Sequence, residues 1–234
     1  MSSEGDHKVT RVNLVVEGPT EETFIKRVLS PFLASNGIFV VSRSVQTSRT
    51  GGRGGLSNYI LVKNDILNWL KQDTDAYVST MFDLYALPKS FPGWSTSQEQ
   101  SDPYKKAESI ETELKNDINH DKFIPHIQLY EFEGLLFSDI DKIDLCMSLK
   151  NQNGQVSNLR KSVSSFSTPE HINDNYTTAP SRRLKSFYPG YDKVLFGSLI
   201  SEDIGIATIM NKCKHFSCWV NTLKDLGPSV GNHL

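Results

Sequence analysis

The sequence predicts an α/β fold: a mainly parallel sheet with helices on both faces, followed by a C-terminal helical extension. Three observations lead there. Short apolar runs rich in β-branched residues alternate with helical patterns as β-α-β-α-β-α-β-α over residues 1–140, the signature of a parallel sheet covered on both sides. Three of the predicted strands run into acids at Glu17, Asp83 and the pair Glu131 and Glu133. The stretch after Ser181 returns to helical periodicity and closes the fold.

The first run, Val12-Asn13-Leu14-Val15-Val16, ends at Glu17-Gly18 and delivers a carboxylate into a tight turn. Gly18 is expected there for its freedom of φ/ψ, with Thr20 as the N-cap and Glu21 and Glu22 complementing the helix dipole. From Thr20 to Leu33, Phe24, Ile25, Val28, Leu29 and Phe32 share one helical face. Ile38-Phe39-Val40-Val41 reads as the second strand, and the glycine-rich stretch Thr47–Gly55 as a loop. Tyr59–Lys71 repeats the helical pattern through Ile60, Ile66, Leu67 and Leu70, and Ala76–Phe82 is a third strand running into Asp83. A loop to about Ser101 precedes a charged helix over Ala107–Asn119. Phe123–Tyr130 is the fourth strand, and Gly134–Phe137 begins another helix. Asn151–Pro180, rich in Ser and Asn, reads as a loop excursion, and Ser198–Lys212 and Phe216–Leu226 as closing helices. Residues 1–145 thus form the α/β core, and 146–234 an insertion and helical part packed on it within one compact domain.

Lys and Arg number 25 against 27 Asp and Glu, so this is not a polybasic nucleic-acid coat, and any nucleic-acid contact must come from a local patch. No apolar run approaches the roughly 20 residues that span a bilayer. The N-terminal Met1–Lys8 lacks the apolar stretch of a signal peptide. Three cysteines do not make a disulfide framework. The expectation is a soluble cytoplasmic protein with no membrane contact.

In an open α/β sheet, chemistry sits at the carboxyl ends of the strands. Glu17 alone is as well explained as a turn glutamate facing water. Strand-end acids that converge on one edge suit the hard cations Mg²⁺ or Mn²⁺, whose preferred ligands are carboxylate oxygens and which bridge phosphates. Residues 131 and 133 share a strand parity, so both can face such a site.

Val15-Val16-Glu17-Gly18-Pro19-Thr20-Glu21 resembles the opening motif of the TOPRIM fold of topoisomerases, primases and OLD-type nucleases. Four further stretches are more specific: Phe82-Asp83-Leu84-Tyr85-Ala86-Leu87-Pro88 with Phe91-Pro92-Gly93, His126–Asp139, Ala179–Leu184 and Cys213–Trp219. They resemble the DUF4276 family, a TOPRIM-like bacterial family of uncharacterised domains that includes the effector nuclease of the PARIS anti-phage system. That resemblance implies metal-dependent cleavage of nucleic acid, with tRNA the substrate of that relative and an ATPase its partner. DNA as substrate and an oligomeric state stay open. Glu17 matches the TOPRIM glutamate, a metal ligand or general acid/base, and Asp83 the first acid of the Asp-x-Asp pair. Tyr85 stands where the second acid is expected. Glu133 is the replacement we assign, with Glu131 as second choice.

Ser181-Arg182-Arg183 with Lys185, Tyr188, Tyr191 and Lys193 is the best basic-aromatic cluster, either a phosphate clamp led by Arg183 and Lys193 or a solvated helix start. Gly51-Gly52-Arg53-Gly54-Gly55 lacks the Lys-Ser/Thr of a Walker A loop; it either brings Arg49 and Arg53 to phosphates or is a surface connection. Cys213-x-His215-x-x-Cys218 has no second pair to complete a zinc tetrahedron, which favours a packed helix junction. His126 reads as a core or hydrogen-bonded histidine. No Gly-x-Ser-x-Gly elbow supports a serine hydrolase. The expected function is a metal-dependent nuclease; the alternative is a catalytically silent module that binds an ATPase partner or a phage protein.

Overall fold

The structure, a computed structural model, describes residues 9–45, 56, 58–148, 155–173 and 176–228. Strand β1 (Thr10–Val16) lies at the centre of a wholly parallel sheet, between β2 (Ile38–Ser44) and β3 (Tyr77–Asp83). Beyond β3 lie two short strands, β4 (Phe123–Ile124) and β5 (Ile127–Gln128). Val16 pairs with Met81 and Asp83 with Gln128, so the carboxyl ends of β1, β3 and β5 meet on one edge. Parallel strands covered on both faces are apolar on both, as Val12, Leu14, Val15 and Val16 are, all fully buried. The outer strand β2 alternates instead, burying Ile38 and exposing Phe39 and Val41.

Helices α1 (Pro19–Phe24) and α2 (Ser30–Ala34) are joined by a π-helical turn over Ile25–Leu29, and together they form the predicted first helix. They share one core with Leu14, Met81, Phe132 and the C-terminal helices. On the opposite face α3 (Tyr59–Gln72) joins Val15, Val78 and Phe82. The predicted loop before the charged helix contains a single turn of helix, α4 (Trp94–Ser97). Helix α5 (Pro103–Ile118) follows on that same face, starting earlier than predicted because the Asp102 carboxylate caps Tyr104 N–H and Pro103 suits the first turn.

The fourth strand is not continuous. Pro125 has no N–H for the ladder, and the Thr80 side chain bonds both the N–H and the C=O of His126, replacing the missing strand pair. Residues beyond Gln128 leave the sheet, and Phe132–Ser138 coils as a 3₁₀ helix ahead of α6 (Ile140–Ser148). The predicted excursion contains a helix, α7 (Val156–Ser162), within its described residues. Then come α8 (Pro180–Phe187), α9 (Lys193–Ile204), α10 (Ile206–Lys212) and α11 (Lys214–Lys224). Gly205, at φ +79°, ends α9 and turns the chain by 87° into α10, dividing what the sequence predicts as one helix. No single helix among the described residues is long and apolar enough to cross a membrane.

Glu170, 1% exposed, fastens the C-terminal helices. Its carboxylate accepts from the His215 and Phe216 amides at 3.0 and 2.9 Å, capping α11, and from the Tyr104 hydroxyl at 3.1 Å. Removing it strands three donors, so Glu170→Ala is expected to cost about 3 kcal/mol in denaturant unfolding. A loss below about 1 kcal/mol would mean that water replaces the carboxylate.

Candidate active site

The turn after β1 differs from the expectation in an informative way. Gly18 is fully extended (φ −160°, ψ −170°), a conformation open to any residue, and it is Gly18 rather than Thr20 that caps α1. The Glu21 side chain folds back so that Oε2 accepts the Gly18 N–H at 3.0 Å, as in a capping box. This buries Glu21 to 2% exposure and aims its other oxygen toward the strand ends.

There it meets Lys193, the first residue of α9. Its Nζ lies 3.2 Å from Glu21 Oε1, 3.4 Å from Asp83 Oδ2 and 3.6 Å from Glu133 Oε2. Asp83, the last residue of β3, also accepts the Phe132 N–H at 2.8 Å, which ties the start of the 3₁₀ turn to the strand end. Glu133 is fully buried in that turn, and neither of its oxygens accepts a hydrogen bond. Glu17 joins the group from the end of β1, with Oε2 buried and without a hydrogen-bond partner. Helix α9 brings Lys193 in through a close approach at Gly197, where a Cβ would stand 3.2 Å from both Phe132 and Thr20.

Four carboxylates around one ammonium leave an excess of negative charge in a poorly solvated place. Burial, then the charge of Glu21, raises the Glu17 carboxyl to about 7, against the opposing pull of Lys193 and the Asp83 amide. Burial also raises Glu133 to about 7 and pushes Asp83 well above the carboxylate range. For Lys193 burial acts to lower the ammonium, yet Asp83, Glu133, Glu21 and Glu17 together hold it far above its usual value. Hard oxygen donors, several buried and without a hydrogen bond, fit Mg²⁺ or Mn²⁺ and not a soft-metal site.

The sequence-predicted residues divide. Glu17, Asp83 and Glu133 come together as expected, although Glu133 gets there from a 3₁₀ turn and not through strand parity. Glu131 has both oxygens engaged, Oε2 by the Ser181 N–H at 2.8 Å and Oε1 by the Ser181 hydroxyl at 3.0 Å, at the start of α8. Lys193, expected on phosphate, sits among the acids. Arg183 is buried: it donates to the Ser162 carbonyl at 2.9 Å and lies over the Phe166 ring, tying α8 to α7. Arg182 is exposed on the same helix, and Arg49 and Arg53 lie outside the described residues. Glu21 was missed as a site residue; the signal was its place three residues after Gly18.

Glu111, His126 and His215 also bring donor atoms within 4.8 Å of one another. The imidazoles are stacked at 26°, and His126 Nδ1 and His215 Nε2 face the same Glu111 oxygen at 3.6 and 2.9 Å, an oxygen that is not free for a cation. Glu111 Oε1 also accepts the Ile127 N–H at 2.8 Å. Burial would lower the His215 imidazole, but the hydrogen bond and charge of Glu111 override it and raise its pKa above 6.5. A raised folded-state pKa stabilises fully below about 6.5 and is lost as pH rises through the folded value. Glu111→Gln is therefore expected to lower the His215 pKa in imidazole proton spectra and to cost about 2 kcal/mol on the acid side. An unmoved His215 titration would rule out the pairing.

Two solved structures are similar to the chain at low identity. The C-terminal region of the Burkholderia pseudomallei OLD protein is 14% identical, with a TM-score of 0.42 over 92% of this chain and 97% of that one. The C-terminal region of the Xanthomonas campestris pv. campestris OLD protein is 14% identical, with a TM-score of 0.40 over 93% of this chain and 96% of that one. No curated protein matches the sequence. The family comparison is direct: residues 16–224 match the domain of unknown function DUF4276, and the chain belongs to that family.

Proposed function

We propose that the protein is a divalent-cation-dependent nuclease that hydrolyses phosphodiesters at the carboxylate–lysine site. The carrying observation is Glu133, fully buried with two oxygens that accept no hydrogen bond at the carboxyl ends of a parallel sheet, beside Lys193, Asp83, Glu21 and Glu17. Asp83, Glu133 and Glu21 would hold Mg²⁺ or Mn²⁺, and such a cation polarises a phosphoryl oxygen and acidifies an attacking water. Glu17, with its carboxyl near 7, takes the proton from that water as its oxygen bonds to phosphorus. The sugar oxygen leaves on the side opposite that water as the P–O ester bond breaks and takes up a proton from solvent, to which Glu17 gives up its own. Lys193, released from the acids it neutralises, moves its charge onto the non-bridging phosphate oxygens, assisted by Arg182. The finer reading, a cytoplasmic effector of phage defence that cuts tRNA under the control of an ATPase partner, rests on the motif resemblance.

The test incubates purified protein with tRNA, single-stranded DNA and duplex DNA, with Mn²⁺ or with EDTA, beside Glu17→Ala. Cleavage of at least one substrate in Mn²⁺, lost in EDTA and in the variant, is expected; intact substrates throughout would overturn the nuclease. One observation favours a second reading. Lys193 already occupies a cation's place among three carboxylates, as a silent binding module would have it. Calorimetry separates the two, since the module predicts no Mn²⁺ binding.

A further inference from the structure

Tyr85 stands where a second acid was expected, and its surroundings give it another task. It lies just past Asp83, in a turn whose amide donates to the Tyr130 carbonyl at 3.1 Å. Tyr130 is held at φ +57°, a left-handed conformation that a bulky non-glycine residue adopts only under constraint. The two rings pack with centroids 5.3 Å apart and form one wall of a cavity of about 390 Å³. Trp94 lines the same cavity with Lys89, whose ammonium lies 5.7 Å over its ring, and with Lys106. No carboxylate is among the described residues that line it. The volume falls in the range of small-ligand pockets, about 300–1,000 Å³.

We propose that this cavity holds an unpaired nucleobase of the substrate next to the scissile phosphate, so that the enzyme acts on single-stranded or looped-out nucleic acid. The inference rests on the nuclease reading of the carboxylate site and narrows its substrate. Placement argues for it. The two chain turns that carry Asp83 and Glu133 also carry Tyr85 and Tyr130, and the Phe132 amide bound to Asp83 joins them. Chemistry argues for it as well. Aromatic faces stack on any base, lysines over and beside them attract the attached phosphate, and an aromatic slot is closed to a base still stacked in a duplex. Tyr85 would then serve the substrate rather than the cation, which accounts for the loss of an acid at that position.

The experiment measures fluorescence anisotropy of a labelled oligoadenylate, alone or annealed to oligouridylate, in EDTA so that nothing is cut. Wild type is expected to bind the single strand at least about 10-fold more tightly than the duplex. Tyr85→Ala with Trp94→Ala is expected to weaken single-strand binding about 10- to 100-fold, while Tyr85→Phe with Trp94→Phe stays within about threefold. As a measurement independent of the aromatic changes, Lys89→Ala with Lys106→Ala should reduce the salt slope of single-strand binding by about 1.4. Equal affinity for duplex, or an alanine pair that binds like wild type while its thermal unfolding is normal, would overturn the pocket. If the alanine pair unfolds, an unchanged salt slope in the lysine pair would overturn it. Cleavage is scored separately in Mn²⁺: binding without cleavage removes the nuclease and leaves the pocket, and cleavage without single-strand preference does the reverse.

Discussion

Glu133→Gln is expected to reduce Mn²⁺-dependent cleavage by at least about 10³-fold while making the metal-free protein more stable. The first effect follows from the several kcal/mol of charge stabilisation that a held cation supplies, at about 1.4 kcal/mol per tenfold in rate. The second follows from burial. Glu133 is fully buried, accepts no hydrogen bond and faces other acids, and its carboxyl is held at about 7. A carboxyl raised in the folded state stabilises fully below its unfolded value of about 4.5, and that contribution is lost as pH rises through about 7. The neutral amide lacks that loss, so the variant's advantage should grow between about pH 5 and pH 8 to about 1–2 kcal/mol. Thermal unfolding in EDTA would read this as an increase of about 2–4 °C per kcal/mol. A structural acid behaves the opposite way, so a destabilised variant with full activity would overturn the assignment.

The second large effect is at Lys193. Lys193→Met removes the cation facing Asp83, Glu133 and Glu21 and leaves their charge uncompensated. Breaking a fully buried pair costs about 3–5 kcal/mol; with a third of the ammonium side chain open to water, about 2–3 kcal/mol is expected at pH 8 in EDTA. Mn²⁺ should restore most of that stability, because it supplies the missing positive charge to the same oxygens. Combining Lys193→Met with Glu133→Gln should also restore part of it, by removing one of the repelling charges. Calorimetric unfolding with and without Mn²⁺ checks both. A destabilised Lys193→Met protein indifferent to Mn²⁺ would show that the carboxylates do not share a cation site.

The first three strands and their ends were legible because a parallel sheet covered on both faces leaves continuous apolar runs, and Glu17 and Asp83 could be placed from that pattern. Glu133 was chosen for the right edge by the wrong geometry, since Pro125 breaks the strand and the chain coils before reaching it. Glu21 read as a dipole-complementing helix residue because local capping explains it without any tertiary partner. The two long-range outcomes, Lys193 among acids and Arg183 over the Phe166 ring, depend on how α8 and α9 dock. No periodicity near those residues encodes that docking. Tyr85 showed its departure from the acid pattern in sequence, while its pairing with Tyr130 depends on a left-handed turn that only the fold reveals.

Lys193 enters the acid cluster from far along the chain, and this sets a clock on synthesis. Glu17, Glu21, Asp83 and Glu133 emerge from the ribosome before α9 exists. At about 5–20 residues per second, several seconds separate the last of these acids from the lysine that compensates them. Until then the edge of the sheet has no internal cation on which to close. The nascent chain therefore carries every acid of the site in an unassembled form, and the helix that completes the charge balance also marks the moment at which the site forms.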